Sequence, residues 1–145
     1  MTEEVTEIWQ IYQTSDEVLN STNKIFTVPA NTEWQILWIW VELTTTAVVG
    51  NRQLIVQVQD NAIDLIGTLA RASTVQAASL TRYYLFAPGL ADMAAFRDTD
   101  YLTTPIPTTS FLEAGQVLRI IDNKAIDAAH DDMIVQIQFA GRAVI

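Results

Sequence analysis

Apolar and polar positions alternate with a period of two along most of this chain, and the apolar positions are mainly β-branched or aromatic. Period two is the signature of strands, whose successive side chains point to opposite faces. The pattern predicts a first strand over Glu7–Gln13 and a second over Lys24–Val28, stopped by Pro29, which cannot donate to a ladder. A strand from Trp34 to Leu43 follows and runs into Thr44-Thr45-Thr46-Ala47. Val49-Gly50-Asn51 reads as a turn, after which Leu54, Val56 and Val58 alternate with Ile55, Gln57 and Gln59 up to a turn at Asp60-Asn61. Ile63 to Ser73 fits a strand or a short helix equally. Leu80–Phe86 is strand-like and closed by Ala87-Pro88-Gly89, and alanine-rich Leu90–Phe96 suggests a helical turn. Pro105 and Pro107 make Tyr101–Thr109 an extended, edge-type segment. Gln116–Ile121, ended by Asp122-Asn123, and Asp131–Ala140 complete the set. About eight strands, with frequent turns and no strong helix, predict an all-β antiparallel sandwich, and pairing two four-stranded sheets favours a jelly roll over an immunoglobulin-like sandwich. Residues 1–22 read as an N-terminal arm or first strand, and residues 23–145 as the sandwich domain.

The strand at Trp34–Leu43 departs from the half-wet pattern. Strict alternation puts Leu37, Ile39, Val41 and Leu43 on one face and Trp34, Ile36, Trp38 and Trp40 on the other, so both faces are apolar. A sheet in a two-layer antiparallel domain normally has one core face and one solvated face. The unbroken aliphatic row is expected to face the core. The indole face then needs a cover of its own, which makes Trp9, Tyr12, Trp34, Ile36, Trp38 and Trp40 the candidate interface residues. The competing use of the same rings, a platform on which sugars stack, is less favoured because these tryptophans sit in a dense aliphatic run.

At 145 residues the chain can bury the core of one domain without covalent staples, and it has no cysteine for disulfides, thiolate metal sites or thiol nucleophiles. Its formal net charge of −9 argues against nucleic acid and against an anionic membrane surface as partners, since the Lys and Arg residues are scattered singly. The acidic start lacks a signal-peptide pattern and no apolar run approaches the roughly 20 residues that span a bilayer, which predicts a soluble product made in the cytoplasm.

The search for chemistry narrows quickly. His130 is the single histidine, so the multi-histidine metal site of cupin enzymes cannot be built. His130 beside Asp131 and Asp132 is read as a loop residue rather than a polarised base. Ser73, Ser79 and Ser110 lack the Gly-x-Ser-x-Gly elbow, and no glycine-rich phosphate loop is present. Asp98, Asp100, Asp122, Asp127, Asp131 and Asp132 are read as turn formers in preference to a calcium site, because their spacing does not match an EF-hand. No catalytic residue, metal or cofactor is expected.

Three segments in order carry a resemblance. These are Thr44–Asp60 after the tryptophan strand, Tyr83-Tyr84-Leu85-Phe86-Ala87-Pro88-Gly89, and Gly115–Asp122 followed by Asp127 and Asp131–Ile137. Over roughly residues 23–140 the chain resembles small jelly-roll structural proteins of tailed bacteriophages, which include capsid decoration (cement) proteins and related fibre or neck components. The resemblance implies a non-enzymatic virion protein, commonly a homotrimer, assembled in the host cytoplasm and bridging capsomers through the major capsid protein. Glu3–Tyr12 would then serve either as an arm adding a strand to a neighbour or as a strand of the subunit's own sheet. The alternatives are a receptor- or carbohydrate-binding module of a fibre, neck or baseplate, and a small lyase or isomerase using His130.

Overall fold

A computed structural model describes residues 8–19 and 22–144. Ten strands are formed among them, and no helix. They are β1 (Gln10–Asp16), β2 (Asn23–Thr27), β3 (Thr32–Thr44), β4 (Leu54–Gln59), β5 (Leu65–Arg71), β6 (Thr81–Ala87), β7 (Tyr101–Pro105), β8 (Phe111–Leu112), β9 (Val117–Asp122) and β10 (Asp132–Ala143). One sheet has the order β1-β10-β3-β6-β7, with β8 pairing β3, and the other has the order β2-β9-β4-β5. Without β7 and β8, four antiparallel strands remain in each layer, and the chain changes layer at every connection except β4–β5. That is the jelly-roll arrangement.

The core fills the space between the layers with residues from alternate positions. Val41, Leu43, Phe86, Met133, Val135 and Ile137 come from one sheet and Leu54, Val56, Leu118 and Ile120 from the other, all essentially inaccessible to solvent. Burial alternates through β2, β9 and β10 as the sequence pattern predicts.

β3 breaks its own alternation. Gln138 of β10 lies opposite Trp38 while the next residue, Phe139, lies opposite Ile36, so Leu37 is an extra residue in β3. This bulge reverses the facing of everything on one side of it. Trp34 and Ile36 therefore point inward with Ile39, Val41 and Leu43. The strict-alternation assignment is corrected on this point: Trp34, 6 % exposed, and Ile36, 1 % exposed, belong to the protomer's own core. Trp34 stacks on Phe139 with ring centroids 4.0 Å apart, and Phe139 in turn stacks on Tyr12 at 5.6 Å.

Two other segments settle differently from their local pattern. Residues 65–71 form the edge strand β5 on β4, resolving the helix-or-strand ambiguity. The alanine-rich segment Leu90–Phe96 is not helical. Met93 exchanges two backbone hydrogen bonds with Thr103 of β7, at 3.0 and 2.9 Å, and pairing against a ready strand prevails over a modest local preference.

β1 lies at the edge of its own sheet, paired with β10 from Gln10–Gly141 to Asp16–Val135. Residues 3–7 of the possible arm fall outside the described residues. The buried Lys24 ammonium fastens the end of β1 to the opposite layer by donating to Asp16 Oδ1 at 3.1 Å and to the Val18 carbonyl at 2.6 Å.

The β4–β5 turn carries one strained residue. Asp60 Oδ1 accepts hydrogen bonds from the N–H groups of Ala62 and Asp64, which forces Ile63 to φ 69°. A β-branched residue with positive φ is a steric outlier, and Ile63 is 74 % exposed, so it has little packing to lose. Ile63→Gly is expected to stabilise the fold by about 0.5–1 kcal/mol, the steric relief exceeding glycine's entropic penalty. A rise in thermal midpoint checks this, and an unchanged or lower midpoint contradicts it.

Candidate functional site

The bulge leaves two indoles on the outer face of the β1-containing sheet. Trp40 lies between Gln136 of β10 and Leu85 of β6, and Trp38 lies opposite Gln138. Trp38, Trp40, Leu85, Ala87 and Gln136 line an open, mainly apolar hollow of about 480 Å³. All five side chains are partly buried, with part of each still open to solvent at the hollow.

Beside the hollow, aromatic rings run across three strands. Trp40 stacks on Tyr83 of β6 at 5.9 Å, Tyr83 stacks on Tyr101 of β7 at 4.6 Å, and the Arg97 guanidinium sits 5.4 Å from the Tyr101 centroid. Neighbouring rings thus cover much of Tyr83 and Tyr101. Glu42 lies opposite Tyr83, and its carboxylate, with a smaller contribution from burial, holds the phenol above the ordinary tyrosine range. The phenol stays neutral, a donor beside an acidic rim formed by Glu42, Asp132 and Glu17. Glu17 Oε1 accepts from Gln136 Nε2 at 2.9 Å, which ties that rim to the hollow.

Trp9 occupies the opposite end of the same face, 6.1 Å from Phe111, with the Arg142 guanidinium 4.4 Å from its ring centroid and Arg142 paired with Glu33. Of the six residues singled out in the sequence, Trp38 and Trp40 form the hollow and Trp9 extends the face. Tyr12 lies at the margin on the inward side through its contact with Phe139, and Trp34 and Ile36 lie within. Tyr83, Leu85, Tyr101 and Gln136 complete the surface. Their alternation was visible in the sequence, but the order of strands that brings them beside the tryptophans was not.

The acidic and histidine-bearing loops form a second polar cluster. Arg52 and Asp131, both fully buried, are joined by Nε–Oδ2 at 2.8 Å and Nη2–Oδ1 at 3.1 Å. Arg52 Nη1 donates to the carbonyls of Val48 and Gly50, and the Thr46 N–H donates to Asp131 Oδ1. Asp127 accepts from the Thr46 hydroxyl at 2.6 Å, and its other oxygen lies 2.9 Å from His130 Nδ1. Asp98 accepts the Asp100 N–H within its turn, and Asp122 accepts the Lys124 N–H within its own turn and the Gln53 N–H from the approach to β4. These carboxylates serve loop geometry, and among the described residues no group of three or more His, Asp or Glu is placed to hold a metal ion. The Ser73 hydroxyl donates to Asp92 and the Ser110 hydroxyl to the Pro107 carbonyl, so both are engaged away from His130.

The Thr46 hydroxyl, followed by the His130 ring, holds the Asp127 carboxyl below the ordinary carboxylate range. A lowered folded-state pKa contributes stability that is present above the unfolded value and lost as pH falls through the folded value. Wild type should therefore unfold at higher temperature than Asp127→Asn at neutral pH, with the gap closing on acidification below the usual carboxylate range. A gap that widens in acid contradicts this assignment.

No protein-family model matches the chain. No curated protein matches it. Among solved structures, the chain is similar to one of turnip yellow mosaic virus, with 11 % identity and a TM-score of 0.30 over 100 % of this chain and 84 % of that one. A likeness of that size carries no argument about function.

Proposed function

We propose that this chain is a non-enzymatic structural subunit of a virion, a capsid decoration protein that associates with itself and bridges capsomers of the major capsid protein. The observation that carries the reading is the open, mainly apolar hollow lined by Trp38, Trp40, Leu85 and Ala87 on strands of a jelly-roll sheet. Apolar surface of this kind gains free energy when another chain removes it from water, about 25 cal/mol per Å². A subunit that binds only the mature shell stabilises that state by mass action, and symmetric copies multiply the effect. The sequence resemblance to phage jelly-roll structural proteins gives the reading its virion setting.

Light scattering on the purified chain tests self-association; a monomer at high concentration removes that part of the proposal. Electron microscopy of particles with and without the subunit tests the bridging role. Extra density at capsomer junctions is expected, and density on a fibre or baseplate alone overturns it. One observation favours a second reading, a carbohydrate-binding module: two indoles and the Gln136 amide line an open hollow. A saturable shift of tryptophan fluorescence on titration with host polysaccharide, lost in Trp38→Ser, would establish it.

A further inference from the structure

The carboxylates of this acidic chain are unevenly divided between its two outer faces, while each face carries two arginines among the described residues. Along the outer side of the β1-β10-β3-β6-β7 sheet, Glu42, Asp132 and Glu17 flank the tryptophan hollow, while Arg142 is paired with Glu33 and Arg97 stands beyond Tyr101. The outer side of the other sheet differs. Its central rows run Ile25–Arg119–Gln57–Thr68 across β2, β9, β4 and β5, and Asn23–Ile121–Ile55–Arg71 beside them. Ile55 and Gln57 of β4 are themselves buried, so the exposed parts of this face are Asn23 and Ile25 of β2 and Thr68 and Arg71 of β5. Among the described residues its outward positions carry two arginines and no carboxylate. Arg119 donates to Asn23 rather than to an acid, and Ile25 is 56 % exposed between these polar groups.

We propose that copies of this chain associate front to back, the tryptophan face of one copy seated on the Ile25–Arg119–Arg71 face of the next. The proposal rests on the self-association proposed above and adds its geometry. Each face supplies what the other lacks: an apolar hollow beside carboxylates on the front, exposed isoleucine beside guanidinium groups on the back. Two fronts related by a two-fold axis would instead bring Glu42 and Asp132 of both copies together, a like-charge contact that opposes that pairing. A stable contact of ordinary size removes about 800 Å² per partner. This is near a tenth of the 7763 Å² exposed by the protomer, and within reach of one sheet face. The two faces lie on opposite layers of the sandwich, so repeated front-to-back contacts run on as an open stack, in which copies of two complementary variants can alternate.

Sedimentation velocity on the full chain tests the geometry with two charge-reversed variants, Arg71→Glu/Arg119→Glu and Glu42→Arg/Asp132→Arg. Wild type should associate, and less so in 1 M NaCl. Each variant alone should show a Kd raised at least about tenfold, and mixing the two should restore association through mixed contacts, because each reversed face then meets an opposite one. Far-UV circular dichroism checks folding, and Arg71→Gln/Arg119→Gln serves if the reversal misfolds, with a smaller loss expected. If wild type associates but the back-face variants match it, front-to-back packing is wrong while self-association stands. The same holds if the front reversal tightens assembly. A monomeric wild type overturns both.

Discussion

Asp131→Ala is expected to destabilise the protein by about 3–5 kcal/mol, because it strands a buried guanidinium without its counter-charge. Arg52 and Asp131 have no solvent exposure, and their two contacts are embedded in bonds to Val48, Gly50 and Thr46. Arg52 also exchanges backbone hydrogen bonds with Gln76, whose amide reaches the Leu43 carbonyl and accepts from the Tyr84 hydroxyl at 2.8 Å. One ion pair thus holds the β3–β4 loop, the β9–β10 loop and the approach to β6 together at one end of the sandwich. Domain stabilities are typically about 5–15 kcal/mol, so the loss would take a large share of the total. At about 2–4 °C per kcal/mol for a chain of this size, the thermal midpoint should fall by roughly 6–20 °C. Arg52→Met combined with Asp131→Leu should recover much of the loss, since replacing both ions removes the unpaired charge. A double variant no better than Asp131→Ala alone would show that the loops depend on the hydrogen bonds rather than on charge balance.

Trp38→Ser/Trp40→Ser is expected to leave the fold intact and abolish association with itself and with particles. Both indoles are only partly buried and lie outside the core cluster, so their loss removes little from the core. Tryptophans at the centre of an interface commonly contribute about 2 kcal/mol or more each, which together corresponds to a weakening of several hundredfold or more. Trp34→Ser should do the reverse. Its ring is buried and stacked at 4.0 Å on Phe139, so truncation should destabilise by about 3–5 kcal/mol, as for large core aromatics. Unfolding midpoints and light scattering on the two variants separate these outcomes. The contrast depends on the bulge at Leu37, because strict alternation would make Trp34, Trp38 and Trp40 behave alike.

Much of the architecture was legible one strand at a time. Alternation in Val117–Asp122 and Asp132–Phe139 reflects a wetter face and a dry face, a constraint that acts on each strand separately, whereas Leu54–Gln59 is buried on both faces despite its alternating sequence. Turn residues such as Asp60 and Asp122 announce themselves because their side chains bond to nearby backbone. Leu90–Phe96 was misleading for a related reason: alanine content reports a local preference, while the structure spends those backbone groups on β7. The candidate surface was half visible. Trp38 and Trp40 stood out only together with Trp34 and Ile36, as a second apolar face of one strand, and their neighbours on the surface come from strands distant in sequence.

Sequence alone determined the strand content, the two-layer all-β class and the excess of apolar side chains on the central strand, because these follow from the two-residue repeat of an extended chain. Tertiary structure decided which tryptophans are core and which are surface, since the extra residue at Leu37 has meaning only where β3 pairs with β10. It also sorted the charges, placing Arg71 and Arg119 on one outer face and Glu42 and Asp132 on the other through a strand order that no local pattern encodes.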